Sequence, residues 1–286
     1  MVQFRSRKDL RGAIPTLMKP RVSVVQYLNT APLVWGLMHG SSRGRFDLSF
    51  TTPACCADDL RGGRADLGII PSIEYQRIDG LKVLPGLSIA SKARVRSVLL
   101  LARVPVGEVR TVALDTSSRT SAALVQVLLR KFYKLDVTTR PASPNPEAML
   151  RSADAALLIG DPALVYAGSA RVYDLAEEWR RFTGLPFVFA VWACRPGPAL
   201  DVSALGRDFA RSRDEGLDHI NDIAAEWAPR LGLSADAVKV YLTENIDYTL
   251  DEENLQGLQL FYRLAHEVGA APGIKELDGP RGSVKE

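Results

Sequence analysis

Residues 111–133 read TVALDTSSRTSAALVQVLLRKFY, and this stretch decides how the chain is organised. Thr111–Asp115 is short and mostly apolar, as a buried strand requires. From Ser118 to Tyr133 the apolar residues Ala122, Leu124, Val125, Leu128 and Leu129 recur at helical spacing. A strand that enters a helix through a polar loop is a βα unit, and such units build parallel strands with crossover helices. The stretch is decisive because the same pattern runs once before it and stops at Val104-Pro105.

Upstream, Arg21–Gln26 (RVSVVQ) reads as a strand and Pro32–His39 as a helix. Phe46–Thr51 is again a strand, Cys55–Arg61 a helix, Asp66–Ile70 (DLGII) a buried strand and Pro71–Arg77 a helix. Two further strands follow near Lys82–Ile89 and Val95–Ala102. After the restart come a strand at Val137–Thr139, a helix at Pro146–Arg151 and a buried strand at Ala155–Ile159 (AALLI). A short helix at Pro162–Tyr166 and a fully buried strand at Leu185–Ala193 (LPFVFAVWA) complete that half. Beyond Pro196-Gly197-Pro198, residues 201–268 read as three or four helices with a strand-like piece near Asn245–Thr249.

These last helices have no sheet of their own, so they are expected to return and cover the first half. The prediction is an α/β protein of two lobes. One is discontinuous, residues 20–103 and 195–286; the other, residues 104–194, is inserted into it; residues 1–19 form an N-terminal extension. The chain would cross between lobes near Ala102–Val106 and Ala193–Pro196. Two crossings make a hinge, and the cleft they frame is where a ligand would sit.

Composition narrows the function. With 47% hydrophobic and 24% charged residues in 286, the chain has the make-up of a soluble globular protein. A net charge of +3 without a clustered basic face excludes nucleic-acid binding as an expectation. No apolar run approaches membrane-spanning length, so no membrane association is expected. The start is basic (Arg5, Arg7, Lys8, Arg11), but Ala13–Met18 is short and broken by Pro15 and Thr16, unlike a signal peptide. A cytoplasmic location is the expectation.

Cys55, Cys56 and Cys194 form no metal-binding spacing and His39, His219 and His266 are scattered, so neither a metal nor another cofactor is expected. GxGxxG, GxxxxGK[ST] and GxSxG are absent, which argues against dinucleotide, P-loop and hydrolase chemistry. No candidate loop holds a histidine that would activate a Ser or Cys nucleophile. A catalyst built from this inventory works by positioning and electrostatics.

The first candidate site is Asp115-Thr116-Ser117-Ser118-Arg119-Thr120-Ser121, between a strand and a long helix. Hydroxyls, an arginine, free N–H groups and the positive end of a helix dipole together hold an anion; a well-capped helix start is the competing reading. Tyr27-Leu28-Asn29-Thr30-Ala31-Pro32 follows a strand, where open α/β sheets bind ligands. Thr30 as a helix cap explains it equally well.

Gly160-Asp161-Pro162 allows close backbone approach, or is a cap with proline in the first turn. Ser72 and Ser97 are expected near the cleft, with a buried structural serine the alternative for Ser97. Trp179, Phe182, Phe187, Phe189 and Trp192 are expected in the core, with Phe187 or Phe189 bordering the cleft. Glu177 and Glu178 are expected to face solvent.

Five stretches in order carry a resemblance: YLNTAPL at 27–33, ADLGIIPSIEY at 65–75, VALDTSSRTSAAL at 112–124, LLIGDPAL at 157–164 and DLAEEWRRFTGLPFVFAVWA at 174–193. Together they resemble the chorismate dehydratase family of the futalosine route to menaquinone, over about residues 21–268. The resemblance implies a type II periplasmic-binding-protein-like fold and conversion of chorismate to 3-[(1-carboxyvinyl)oxy]benzoate by loss of water. It implies that Asn29 and Ser97 match the family's active-site positions. Substrate contacts are then expected from Thr30, Ser72, Thr116, Ser117, Ser118, Arg119, Thr120, Ser121, Gly160 and Asp161.

The proton is expected on the substrate's own enolpyruvyl carboxylate, with Asp161 as the fallback acid or base. Two alternatives stay open. One is a non-catalytic binding protein for a small carboxylate. The other is a dihydroxynaphthoate synthase-like enzyme of the same route, although its histidine has no counterpart in a cleft loop. A homodimer is left open.

Overall fold

The computed structural model describes residues 19–197 and 200–277. The expected extension therefore lies outside the described residues, apart from Lys19. The first strands and helices are β1 (Arg21–Val25), α1 (Ala31–Met38), β2 (Asp47–Thr51), α2 (Pro53–Arg61), β3 (Leu67–Pro71), β4 (Lys82–Ser91) and β5 (Val98–Ala102). Then follow β6 (Thr111–Asp115), α3 (Arg119–Val127), β7 (Thr138–Ala142), α4 (Pro146–Ser152), β8 (Ala155–Ile159), α5 (Gly160–Leu164), β9 (Arg171–Asp174), α6 (Leu175–Thr183) and β10 (Phe187–Cys194). The chain ends with α7 (Val202–Asp218), α8 (Ile220–Leu231), α9 (Ala235–Val240) and α10 (Glu252–Glu267).

Two five-stranded sheets result, ordered β2-β1-β3-β10-β4 and β7-β6-β8-β5-β9. Each has a parallel βαβ core, β2-β1-β3 in one and β7-β6-β8 in the other. Antiparallel strands complete each sheet: β10 lies between β3 and β4, and β5 lies between β8 and β9.

This moves the lobe boundaries. β5, assigned from sequence to the first lobe, pairs in the second sheet; β10, assigned to the second, pairs in the first. Val98–Ala102 and Phe187–Cys194 are buried along nearly their whole length, so their patterns show burial but not which sheet provides it. The crossings accordingly fall at residues 92–97 and 184–186.

Other departures are local. Pro71–Arg77 is a 3₁₀ turn, Ser72–Gln76, and the long helix after Ser118 ends in a π-helical turn, Leu128–Phe132. Glu178 is buried, not solvent-facing: it accepts from the Tyr133 hydroxyl and pairs with Arg181 at 2.8 Å. β9 carries no long apolar signal because Arg171 and Val172 are exposed on an edge strand.

The second crossing is held by aromatic packing. Trp179 on α6, Phe187 at the start of β10 and Phe261 on α10 meet edge to face, with centroids 5.3 and 4.9 Å apart around Phe187. Trp179 Nε1 donates to the Pro186 carbonyl at 3.0 Å. α10 packs on both β10 and α3, so it touches the first sheet and a helix of the second lobe.

α1, which begins at the end of the Asn29 loop, is fixed by very close packing on α7. Ser212 Oγ donates to Leu33 O at 2.9 Å and accepts from Leu37 N–H at 3.1 Å. A Cβ on Gly216 would lie 2.1 Å from the Pro32 carbonyl oxygen. Gly216→Ala is therefore expected to push α7 off α1 and destabilise the protein by about 2 kcal/mol, measured as a lowered urea midpoint. An unchanged midpoint would show that the helices yield without strain.

Candidate active site

The cleft lies where the carboxyl ends of the strands of both sheets face each other. It is tight, with a cavity volume of about 60 Å³, and is lined by Tyr27, Asn29, Ser97, Ser118, Thr120 and Gly160, with Ile89, Phe189 and other apolar side chains as walls. Phe189 thus borders the cleft, whereas Phe187 is fully buried. A larger groove, about 370 Å³, lies on the other side of Tyr27 between α1 and α8. Its charged groups, Glu226 and Arg230, pair with each other at 2.8 Å, and its remaining walls are mainly apolar. Unpaired donors converge on the cleft instead.

Ser97 owes its place to a strained turn. Arg96 has φ +61°, unusual for a residue with a side chain, and the buried Asp174 carboxylate holds it there. Asp174 accepts from Val95 N–H at 3.2 Å and Arg96 N–H at 2.7 Å, and also caps α6 through Ala176 and Glu177. Burial raises its pKa while those four N–H groups oppose the rise. The Ser97 carbonyl accepts from Gly160 N–H at 2.8 Å, and its hydroxyl accepts from Tyr241 Oη at 2.8 Å.

Asn29 sits half-buried on a 3₁₀ turn, Leu28–Thr30, at the end of β1, where its carbonyl accepts from Thr30 Oγ1 at 3.4 Å. Gly160 has φ +66°, and a Cβ there would lie 2.6 Å from the Tyr27 ring. Only glycine lets that ring close over the second sheet.

The hydroxyl-rich segment divides its labour. Ser118, at the N-cap position of α3, makes no capping bond, so the first-turn N–H groups and its hydroxyl are left for a cleft ligand. Ser121 also lines the cleft. Thr120 instead docks the lobes: its Oγ1 accepts from Ile73 N–H at 3.1 Å and lies 3.4 Å from Ser72 Oγ. Arg119 edges the cleft, but its guanidinium donates to Asp58 at 2.8 Å and to Glu74 at 3.0 Å, both from the first lobe. This bond holds the Asp58 carboxyl below its ordinary range. Glu74 is buried and also receives Arg61 and Arg77.

Five other expected contacts are placed away from the cleft lining. Thr30 is buried against the outer groove and makes no cap bond. Ser72 is buried and donates to the Val188 carbonyl at 2.8 Å. Thr116 is exposed on a separate concavity beside Arg140, and Ser117 donates to Asp115 Oδ1 at 2.7 Å. Asp161 is neither a free acid in the cleft nor a cap; it reaches across and accepts from Leu28 N–H at 3.0 Å.

The sequence pattern gave no sign of Tyr241, and Asp174 was legible only as the first residue of the 174–193 stretch. Tyr27 was legible only as part of its segment. No group of three or more His, Cys, Asp or Glu side chains suited to a metal occurs among the described residues. Nor is any helix among them long and apolar enough to cross a membrane.

A protein-family model described as menaquinone biosynthesis matches residues 20–267. The chain belongs to that family. It is 33% identical to the chorismate dehydratase of Thermus thermophilus, over 85% of this chain and 94% of that protein. The chorismate dehydratase of Campylobacter jejuni is 27% identical, over 86% of this chain and 98% of its own.

Among solved structures, a protein of Archaeoglobus fulgidus superimposes with a TM-score of 0.71 at 18% identity, covering 88% of this chain and 98% of that one. The alkanesulfonate-binding protein of Xanthomonas axonopodis gives 0.64 at 17% identity, covering 89% and 94%. At these identities the likeness establishes the fold, which is periplasmic-binding-protein-like, as the sequence resemblance implied.

Asp161 supplies a test of the contact across the cleft. Burial raises its carboxyl from 3.8 to about 6, against the lowering effect of Leu28 N–H. The folded chain therefore holds this proton more tightly than the unfolded one, and the group's contribution to stability is lost as pH rises from about 4 to about 6. Asp161→Asn keeps an acceptor for Leu28 but removes the titration. Relative to the parent, the variant should gain about 2 kcal/mol between pH 4 and pH 7, read from denaturant unfolding. A constant difference across that range would contradict the burial.

Proposed function

We propose that the protein is a chorismate dehydratase, a hydro-lyase that converts chorismate to 3-[(1-carboxyvinyl)oxy]benzoate and water in the interlobe cleft. The observation that carries this reading is the meeting of Asn29, Ser97 and the uncapped start of α3 around one apolar-walled space. Membership of the menaquinone biosynthesis family and similarity to two chorismate dehydratases support it.

The reaction removes the C3 hydrogen and the C4 hydroxyl of the substrate ring. The C3–H electron pair becomes the new ring double bond, the C4–O bond breaks, and the hydroxyl leaves with the proton as water. Aromaticity supplies the driving force, so the protein has mainly to bind, orient and stabilise developing charge. The free N–H groups of α3 with Ser118 and Ser121 suit a carboxylate. Asn29 and Ser97 are the catalytic residues, aimed at the reacting edge as hydrogen-bonding groups. Ile89, Val95, Val98 and Phe189 exclude water, which strengthens each polar contact inside.

The substrate's enolpyruvyl carboxylate takes the C3 proton and delivers it to the leaving hydroxyl. Asp161 is engaged with Leu28 N–H and does not line the cleft, which weighs against the fallback role considered for it.

The test is conversion of chorismate by the purified chain without added metal or nucleotide, with product identified by mass spectrometry. Asn29→Ala and Ser97→Ala should each lower kcat/KM about 100-fold or more with the chain still folded; Ser97→Ala should also lower the melting temperature, because it leaves the buried Tyr241 hydroxyl without its acceptor. Unaltered chorismate beside an active control enzyme would overturn the reading. Full activity in either variant would remove that residue from the site.

A further inference from the structure

Behind Ser97, away from the cleft, stands Tyr241. It opens a π-helical turn, Tyr241–Asn245, that continues α9, and it is 1% exposed. π-Turns are rare and frequently mark functional positions. Its hydroxyl donates to Ser97 Oγ at 2.8 Å. One buried oxygen from the C-terminal helices therefore backs one of the two residues assigned above as catalytic, the serine at the first crossing.

The bonding capacities of these groups fix the direction of the chain. A phenol has one hydrogen, and Tyr241 gives it to Ser97. Ser97 Oγ, having accepted, must send its own hydrogen elsewhere. The acceptor inside the protein is the Val95 carbonyl, at a long 3.4 Å; a cleft ligand offers a better one. Accepting a bond from Tyr241 also polarises the Ser97 O–H and strengthens it as a donor.

We propose that Tyr241 is a positioning residue for the dehydration, its buried hydroxyl turning Ser97 into an oriented donor. The proposal rests on the assignment of chorismate turnover to this cleft. Tyr241 does not line the cleft and acts only through Ser97.

The test is a double-mutant cycle with the full chain and chorismate. Tyr241→Phe keeps the ring and removes only the hydroxyl. Loss of one oriented hydrogen bond should lower kcat about tenfold and move KM less than about twofold. In a Ser97→Ala background the same change should alter kcat less than about twofold, because its effect passes through Ser97. Equal losses in both backgrounds would show a packing role and overturn the proposal, as would full activity of Tyr241→Phe.

If Tyr241→Phe fails to fold, 3-fluorotyrosine placed at 241 keeps the bond but makes the phenol a stronger donor. kcat should then change at least about twofold with Ser97 present and not in Ser97→Ala; identical responses in the two backgrounds would overturn the proposal. A parent chain inert on chorismate would instead overturn the underlying reading of the cleft, and this proposal with it.

Discussion

A carboxylate sealed from water must be answered by the protein, and Glu74 is answered by three arginines. Two of them, Arg61 and Arg77, belong to the same sheet's neighbourhood as Glu74 itself. The third, Arg119, comes from the first turn of α3 in the other lobe. Moving α3 off the Ser72–Gln76 turn would leave Glu74 with Arg61 and Arg77 but would break one charge-assisted bond to a buried carboxylate, a loss of about 1.5–3 kcal/mol. The next residue, Thr120, repeats the attachment through Ile73 N–H. The position of the hydroxyl-rich helix start over the cleft thus depends on one buried acid.

The first crossing follows the same principle. Asp174 holds four N–H groups, two in the strained turn before Ser97 and two at the start of α6. Gly160 then lets Tyr27 pack against the second sheet, and Asp161 takes the Leu28 N–H. Solved structures of the same fold include binding proteins for small anions, such as the alkanesulfonate-binding protein of Xanthomonas axonopodis. In the present chain the uncapped start of α3 lines one apolar-walled space together with Asn29 and Ser97. An arrangement of that kind can stabilise charge as it develops, beyond holding charge that is already present.

Much of this was legible before the structure. βα periodicity marked out both lobes, and the strand-to-helix loops at 27–32 and 115–121 contain residues that line the cleft. What stayed hidden has a common physical cause. β5 and β10 read as uniformly apolar, and such strands carry no mark of the sheet that covers them. Arg119 and Asp161 are polar residues beside a cleft, and sequence alone does not distinguish a ligand contact from an ion pair or hydrogen bond across lobes. Tyr241 lies 144 positions from the serine it supports. Its partner is set by the return of the C-terminal helices, which no local pattern encodes.

The central claim is that the interlobe cleft, and no other cavity, receives the substrate. The most direct measurement is a crystal structure of the protein with the 3-[(1-carboxyvinyl)oxy]benzoate product bound. The account predicts a product carboxylate on the first-turn N–H groups of α3 and Ser118, with Asn29 and Ser97 within hydrogen-bonding distance of the enolpyruvyl-bearing edge of the ring. Product seated in the groove between α1 and α8, with the cleft unchanged, would contradict it.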